Sequence, residues 1–199
     1  ANLARAFTQY SGSVTLNNIN FVNGYVSGNA NGGAYLLGTG TLTVNDCQFE
    51  NNSAGRHGGA IGVTSTSQSN SINVYNSTFK GNSAKFNGGS LYAGKLLVEN
   101  SKFEANKILT RSSSEYTNIG QKGLGGAIFI NGNYNEIIKN LFDKNTARNG
   151  SAIYNRGHDV YIDDDKFLEN QAFSYLLNIT ATPKVSYYTG SNQVLINIR

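Results

Sequence analysis

The sequence predicts an all-β protein, a right-handed parallel β-helix of about seven to eight coils. Two short motifs, Phe-x-x-Asn and Gly-Gly-Ala-Ile, recur in fixed order along the chain, and asparagine and glycine fill the segments between them. The apolar residues around each phenylalanine alternate with period two, as in a strand with one buried face. A repeat of this size cannot bury its apolar face alone, so neighbouring repeats must stack. We expect residues 1–199 to form one such domain.

Each predicted coil begins with an alternating strand and ends at a glycine pair. In the clearest copy, Leu42 and Val44 precede a turn, Cys47 and Phe49 follow it, and Gly58-Gly-Ala-Ile closes the repeat. Successive phenylalanines lie 24 to 39 residues apart, and we assign three short strands and three turns to about 24 residues of each coil. Five phenylalanines have an asparagine three residues later: Phe49 and Asn52, Phe79 and Asn82, Phe103 and Asn106, Phe142 and Asn145, Phe167 and Asn170.

Identical positions stack directly when one coil pairs in parallel with the next. We therefore expect the five phenylalanines to form a buried stack, in which each ring contributes on the order of 1.5–3 kcal/mol. The five asparagines are expected to form a ladder of side-chain amides that satisfies buried groups at the turns. The glycine pair marks a corner that has no room for a Cβ or that needs a positive φ.

Composition excludes several classes of function. The net charge of +4 is scattered, without the block of lysine and arginine that follows a phosphate backbone, so we expect no nucleic acid. No apolar run approaches the roughly 18 residues that a membrane span requires. The single cysteine, Cys47, is expected to be a buried core thiol, because it has no partner for a disulfide. The chain starts abruptly at Ala1, which is typical of a piece of a longer protein.

The paired Phe-x-x-Asn and Gly-Gly-Ala-Ile motifs resemble those of chlamydial polymorphic outer membrane proteins. They are equally similar to the β-helix repeats of adhesin-like surface proteins of methanogenic archaea. The resemblance covers roughly residues 18–172, although Phe21 lacks its asparagine and the last repeat has Phe173-Ser-Tyr175 in place of the glycine pair. It implies an exported protein that is attached to a cell surface and takes part in adhesion to other cells.

The largest break in the repeat is an insertion at residues 107–123. Insertions in stacked repeats become loops on one face, which is often the binding face. Arg111, Tyr116 and Lys122 are its candidate ligand-binding residues. The alternative is a surface loop without a role in binding.

A second candidate site follows the glycine corner. Tyr92, Phe129 and Tyr154 occupy the same position in successive coils, directly after the inward-facing aliphatic residue. They are expected to form an outward aromatic column whose flat rings could stack on sugars. The alternative is that the rings only pack on each other across the coils.

The run Asp163-Asp164-Asp165 is the best candidate for a metal site or an enzyme. Adjacent strand residues point to opposite faces, so Asp163 and Asp165 are expected to share one face and to offer carboxylates to a calcium ion. Hydrolysis of a polysaccharide would need two carboxylates on one surface. Since no second cluster supports this run, we assign no catalytic residue and expect no obligate cofactor.

The sequence therefore favours a non-enzymatic cell-surface adhesin module, extracellular and monomeric, that attaches to a glycan or protein of another cell. Two alternatives remain open at this point. One is a polysaccharide lyase or glycoside hydrolase of the β-helix type, and the other is a purely structural stalk. An enzyme needs a cleft with converging charged groups, an adhesin needs an exposed aromatic or polar patch, and a stalk needs neither.

Overall fold

The structure is a computed structural model that describes residues 4–109 and 123–172. The described residues form 24 β-strands and contain no helix. Every strand pairs in parallel with the equivalent strand of the neighbouring coil, and the strands assemble into four sheets that run along one axis. The molecule is a parallel β-solenoid, which confirms the fold class predicted from the repeats.

The first two sheets follow one another in each coil and carry most of the core. The first sheet contains β1 (Phe7–Gln9), β5 (Tyr35–Leu37), β9 (Ile61–Val63), β13 (Leu91–Ala93), β17 (Ile128–Ile130) and β21 (Ile153–Asn155). The second sheet has the longest strands: β2 (Ser13–Asn17), β6 (Gly40–Asn45), β10 (Asn70–Tyr75), β14 (Lys95–Glu99), β18 (Asn135–Ile138) and β22 (Val160–Asp163).

The third and fourth sheets complete each coil. The third sheet carries the repeated phenylalanines: β3 (Asn20–Val22), β7 (Gln48–Glu50), β11 (Thr78–Lys80), β15 (Lys102–Glu104), β19 (Leu141–Asp143) and β23 (Lys166–Leu168). The fourth sheet has two-residue strands: β4 (Tyr25–Val26), β8 (Ser53–Ala54), β12 (Ser83–Ala84), β16 (Lys107–Ile108), β20 (Thr146–Ala147) and β24 (Gln171–Ala172).

Two details of the predicted architecture were wrong. Each coil has four strands rather than three, because two residues that follow the ladder asparagine pair with their equivalents as a short fourth sheet. Six strands in each sheet give about five full turns in the described residues, fewer than the seven to eight predicted. The residues before Phe21 account for part of the difference, since β1 and β2 belong to the same coil as Phe21 and add no coil of their own.

Alternation within the strands determines which side chains enter the core. In β6, Leu42 and Val44 are fully buried, whereas Thr41, Thr43 and Asn45 face outward and are partly exposed. The register of the parallel pairing places Leu42 beside the equivalent leucine or isoleucine of the next coil, so like side chains meet in the core. This register is strongly fixed, because a slip by one residue would turn the apolar set to the solvent.

The corners need backbone conformations that only some residues adopt easily. Asp46 (φ 53°) and Asn51 (φ 55°) lie in the left-handed region at two successive corners of one coil, where Asp and Asn are tolerated better than most residues. The glycine pair forms another corner. A Cβ on Gly58 would lie 2.2 Å from the carbonyl oxygen of Ile61, and one on Gly59 would lie 2.1 Å from that of Gly89. The repeated glycine pair is therefore a requirement of close backbone approach.

Candidate functional site

The repeated phenylalanines form one buried stack, which we call the phenylalanine column. Ring centroids lie 4.8 to 5.1 Å apart from Phe21 to Phe167, and neighbouring planes differ by no more than 9°. Four of the rings, on Phe49, Phe79, Phe103 and Phe142, are completely buried. The column fills the interior behind the third sheet and leaves no phenylalanine of this set in its middle coils available to a ligand.

The five asparagines that follow these phenylalanines form a continuous hydrogen-bonded ladder. Asn82 shows the pattern: its Oδ1 accepts hydrogen bonds from the backbone N–H and the side-chain amide of Asn52, both at 3.0 Å. Its Nδ2 donates to Oδ1 of Asn106 and to the carbonyl oxygen of Phe49. The same bonds continue through Asn145 to Asn170. The asparagine ladder thus satisfies buried backbone groups at one corner of every coil.

A second ladder, which the sequence reasoning missed, runs along the corner between the second and third sheets. It is built from a different side chain in almost every coil: Cys47, Ser77, Ser101, Asn140 and Asp165. Each side chain accepts a hydrogen bond from the backbone N–H of its equivalent in the preceding coil, at 2.6 to 3.0 Å from Ser77 to Asp165. At Cys47 the sulfur accepts from Ile19 N at 3.4 Å.

The second ladder gives Cys47 a polar role inside the core. The side chain is 1% exposed, and its sulfur lies 3.1 Å from the carbonyl oxygen of Asn45, to which the thiol donates. A partial signal for this ladder exists in the sequence, because the residue before the ladder residue is Asp or Asn in four of the five coils and Lys139 in the other. Every ladder residue directly follows a residue with positive φ, such as Asp46 before Cys47 and Asn76 before Ser77. The mixture of residue types concealed the common requirement, which is an acceptor atom.

The predicted pairing of Asp163 and Asp165 on one face was wrong. Asp164, with a φ of 53°, interrupts the strand alternation between them. Asp163 faces outward beside Tyr161, whereas Asp165 turns inward and accepts a hydrogen bond from the backbone N–H of Asn140 at 2.6 Å. Within the ranges 4–109 and 123–172, no three His, Cys, Asp or Glu side chains are grouped to hold a metal ion. The geometry therefore gives the calcium hypothesis no support.

Asp165 places a carboxylate at a ladder position that is occupied by a neutral hydrogen-bond acceptor in the other coils. Burial raises its pKa, its hydrogen bonds with Asn140 lower it, and the nearby Asp163 and Asp164 raise it further. Its Oδ2 is buried without a hydrogen-bond partner among the described residues. Because the folded state holds the Asp165 proton more tightly than the unfolded chain does, the contribution of this group to stability falls as pH rises from 3.8 through its raised pKa.

We predict that Asp165→Asn raises the free energy of unfolding at pH 7 by about 1 kcal/mol, because it removes a half-buried charge and supplies the side chain that Asn140 uses in the preceding coil. The gain should disappear below the ordinary aspartate pKa, where Asp165 is protonated in both states. Denaturant unfolding at pH 7 and pH 3 measures both effects. The control is Asp164→Asn at the neighbouring exposed carboxylate, with an expected change within about 0.5 kcal/mol. Equal changes in the two variants would contradict the ladder assignment.

Tyr92, Phe129 and Tyr154 lie in register on the outer face of the first sheet. The ring centroids of Tyr92 and Phe129 are 5.0 Å apart, and those of Phe129 and Tyr154 are 5.7 Å apart. Phe129 is only 2% exposed, and the two tyrosines are partly buried. Phe129 is therefore not the exposed ring that was expected, since stacking on Tyr92 and Tyr154 covers its faces.

His57 extends this stack by one member that the repeat pattern did not indicate. Its ring lies 4.3 Å from that of Tyr92, at an interplanar angle of 12°. The equivalent position in the preceding strand is Gly62, which pairs with Tyr92 and has no side chain. His57 reaches this place from the turn before β9. We call the set His57, Tyr92, Phe129 and Tyr154 the aromatic column.

The hydroxyl of Tyr92 takes part in a hydrogen bond with Thr66. Burial raises the pKa of Tyr92, while Arg56, a hydrogen bond with Thr66 and Arg156 act in the opposite direction. Asn131 Nδ2 donates a hydrogen bond to Thr66 Oγ1 at 2.8 Å, across two coils of the turn that follows the first sheet. The hydroxyl of Tyr92 is thus tied to the turn that follows the first sheet by the hydrogen bonds of Thr66 and Asn131.

The first two residues of the predicted insertion at residues 107–123 belong to the regular repeat and not to a loop. Lys107 and Ile108 form β16, and Ser83 pairs with Lys107 in the regular register of the fourth sheet. At the other end, Gly123 N donates to the carbonyl oxygen of Phe86 at 2.7 Å. The three candidate binding residues Arg111, Tyr116 and Lys122 lie outside the described residues.

No membrane-spanning helix, long and apolar enough to cross a bilayer, is found in the part of the chain that the structure describes.

Comparison with known proteins finds a family model that matches a segment of the chain, residues 46–64. No curated protein and no solved structure matches the chain. This segment covers the clearest of the predicted repeats, with Phe49, Asn52 and the glycine pair Gly58-Gly59. The match confirms the predicted resemblance to the repeats of chlamydial polymorphic outer membrane proteins. Residues 46–64 therefore match the model of the Chlamydia polymorphic membrane protein (Chlamydia_PMP) repeat, and this match indicates a protein associated with the cell surface or outer membrane.

Proposed function

We propose that this chain is a non-enzymatic adhesin module that lies outside the cell, at the cell surface. It attaches the cell that carries it to a glycan or protein of another cell. The observation that carries the proposal is the polymorphic membrane protein repeat at residues 46–64, set within a continuous β-solenoid. A surface-associated repeat protein has to project from the cell and keep its shape. Two ladders and a phenylalanine column that run through the coils supply that stiffness.

The separation of inward-facing structural side chains from outward-facing side chains supports a binding role. Inward-facing positions are occupied by the phenylalanine column, the aliphatic residues and the two ladders, which leaves recognition to the outer faces. Repeat proteins commonly bind through such extended lateral surfaces. On the outer face of the first sheet, the hydroxyl of Tyr92 is hydrogen-bonded to Thr66 and is a polar group that such a surface could present.

The proposal is tested by incubating the fluorescently labelled full chain with intact cells and with a glycan array. We expect saturable binding that excess unlabelled protein displaces. Reduced binding by the double variant Tyr92→Ala/Tyr154→Ala would support a role of the aromatic column. The double variant Lys95→Ala/Tyr161→Ala, changed on the outer face of the second sheet, is the control and should bind like the wild type.

The stalk alternative predicts a different outcome from the same experiment. A purely structural rod would bind neither cells nor glycans above the level of a heat-denatured sample. That result would contradict the adhesin proposal. Circular dichroism of each variant, compared with the wild type, shows whether a loss of binding reflects the altered surface or a loss of the fold.

A further inference from the structure

We propose that a groove on the outer face of the fourth sheet binds an acidic sugar of a glycan, with Tyr25 as the ring that packs on the sugar and Lys85 as the residue that binds its anionic group. This inference rests on the proposed function, because it names the class of ligand that the surface module recognises. The groove has a volume of about 340 Å³ and is lined by residues of the first four coils. This volume lies at the lower end of the range of small-ligand sites, which suits a mono- or disaccharide.

The groove exists because the outward side chains of the second coil are short. Tyr25, Ser53 and Ser83 pair in register along the outer face of the fourth sheet, so Ser53 leaves a gap beside the larger side chain of Tyr25. Two residues after Ser53, the second coil has Gly55, where a Cβ would lie 2.4 Å from the carbonyl oxygen of Gly28. The backbone of the first coil therefore confines this position to glycine, and no side chain fills the floor of the groove there.

Large apolar side chains border this gap from the coils on either side. Tyr25 of the first coil is 46% exposed, and Leu109 of the fourth coil is 48% exposed, and both line the groove. A ligand that covers these side chains removes apolar surface from water. The C–H face of a sugar ring can pack on the Tyr25 ring while the hydroxyl groups of the sugar stay available for hydrogen bonds. Exposed apolar groups beside polar ones are typical of ligand sites.

Lys85 gives the groove a positive charge. Among the described residues that line the groove, it is the one charged side chain. Lys85 is exposed, and its Nζ lies 5.4 Å from the centroid of the Phe86 ring, which attracts the ammonium without neutralising it. Within residues 4–109 and 123–172 Lys85 forms no ion pair, whereas Lys80 and Lys102 of the third sheet both pair with Glu104. The ammonium of Lys85 is therefore available to the anionic group of a ligand.

The outer face of the fourth sheet adds to this positive charge. Its six strands contain Lys107, which pairs in register with Ser83, and they contain no aspartate or glutamate. The third sheet differs, since Glu50 and Glu104 are among its outward side chains. An anionic ligand at the groove therefore meets lysine without repulsion from a carboxylate of the same sheet, which favours an acidic sugar over a neutral one.

The hydrogen-bonding groups that the groove offers are side-chain hydroxyls and not backbone groups. Ser53 Oγ accepts a hydrogen bond from Ser83 Oγ at 3.0 Å, so Ser53 keeps its own proton to donate to a ligand. The backbone N–H groups of Ser53, Gly55 and Lys85 already donate to carbonyl oxygens of the preceding coil. An extended peptide, which binds a sheet through free backbone groups, finds none of these donors available. The groove therefore favours a sugar over a peptide, because sugar hydroxyls pair with side-chain hydroxyls.

A direct test compares two ligands that share one sugar chain and differ in charge. Isothermal titration calorimetry of the full chain would use trigalacturonate as the acidic probe and its fully methyl-esterified form as the neutral control. We expect the acidic form to bind about fivefold more tightly, with an affinity that falls as salt rises, because the attraction is between exposed charges. A sulfated galactan oligosaccharide and its desulfated form provide the same comparison for a sulfate group. Equal affinities within both pairs would overturn the inference.

Matched variants assign the binding to the groove. Tyr25→Ala should weaken binding of the acidic probe by about tenfold, because the ring contact is lost. Lys85→Gln should weaken it by about fivefold and remove the preference over the esterified form. Tyr161→Ala and Lys95→Gln make the same two changes at exposed positions of the second sheet, and each should change the affinity less than about twofold. Groove variants that bind like these two controls would overturn the inference.

Failure of this inference is distinguishable from failure of the proposed function. Wild-type chain that binds intact cells but prefers neither acidic probe would overturn the acidic-sugar groove and leave the adhesin proposal standing. Wild-type chain that binds no cells would contradict the adhesin proposal, whatever the calorimetry shows. If Lys85→Gln loses binding to cells and the preference for the acidic probe together, while its circular dichroism is unchanged, both proposals are supported.

Discussion

Replacing Asn82 by alanine is expected to lower the free energy of unfolding by about 3–5 kcal/mol. Asn82 is fully buried in the middle of the asparagine ladder, and its side chain takes part in four hydrogen bonds with neighbouring coils. Alanine would leave the backbone N–H of Asn52 and the carbonyl oxygen of Phe49 without these partners. Buried groups left in this state cost about 1–3 kcal/mol each. Denaturant unfolding measures the change.

Two further variants isolate the ladder contribution of Asn82. Asn82→Asp keeps the acceptor oxygen but loses the amide donor and buries a charge, so it should be at least as destabilising as alanine. Asn73→Ala, on the outer face of β10 in the same coil, removes an asparagine whose side chain, within residues 4–109 and 123–172, accepts a single long hydrogen bond, from Ser71 at 3.4 Å. Its expected cost is within about 0.5 kcal/mol. An Asn82→Ala variant as stable as Asn73→Ala would show that the ladder adds little.

Replacing Phe103 by alanine is expected to lower the free energy of unfolding by about 3–5 kcal/mol. The ring is fully buried and stacks at 4.9 Å on Phe79 and at 5.0 Å on Phe142. Alanine would open a cavity in a column that the two neighbouring coils hold in place, so little of the space can close. Leucine at this position should cost less, because it refills part of the volume. Denaturant unfolding of both variants gives the comparison.

Position in the phenylalanine column provides an internal control. Phe21 lies in the first described coil, is 8% exposed and stacks on one ring of the column, that of Phe49. Phe21→Ala should therefore cost less than Phe103→Ala, since fewer contacts are lost and the end of the stack can relax. A larger cost at Phe21 than at Phe103 would contradict the account, in which stability is a sum of contacts between adjacent coils.

The parts of the fold that depend on identical residues could be predicted from the sequence. Phe49, Phe79 and Phe103 recur with an asparagine three residues later, and parallel stacking turns that recurrence into a column and a ladder. The fourth sheet escaped prediction because its strands, such as Ser83–Ala84, are two residues long and carry no alternation. The second ladder was not predicted because its positions share a hydrogen-bond acceptor atom and not a residue type. The sulfur of Cys47 and the carboxylate of Asp165 occupy equivalent positions in different coils.

The candidate site was predicted only in part, for physical reasons of the same kind. Register correctly brings Tyr92 and Tyr154 to one outer face, but strand alternation says nothing about the exposure of Phe129, which depends on ring-to-ring packing. Asp163 and Asp165 are two residues apart, and the separation onto different faces follows from the left-handed conformation of Asp164. His57 reaches the column from a turn, where spacing along the chain does not predict contact.

The measurement that tests the central claim most directly is one incubation of the full chain with intact cells, in which bound protein and released sugar ends are quantified together. The adhesin account predicts saturable binding without new reducing or unsaturated sugar ends. The acidic run at residues 163–165 gives the alternative a matched variant. Release of such ends, abolished by Asp163→Ala, would contradict the account and identify a polysaccharide-degrading enzyme.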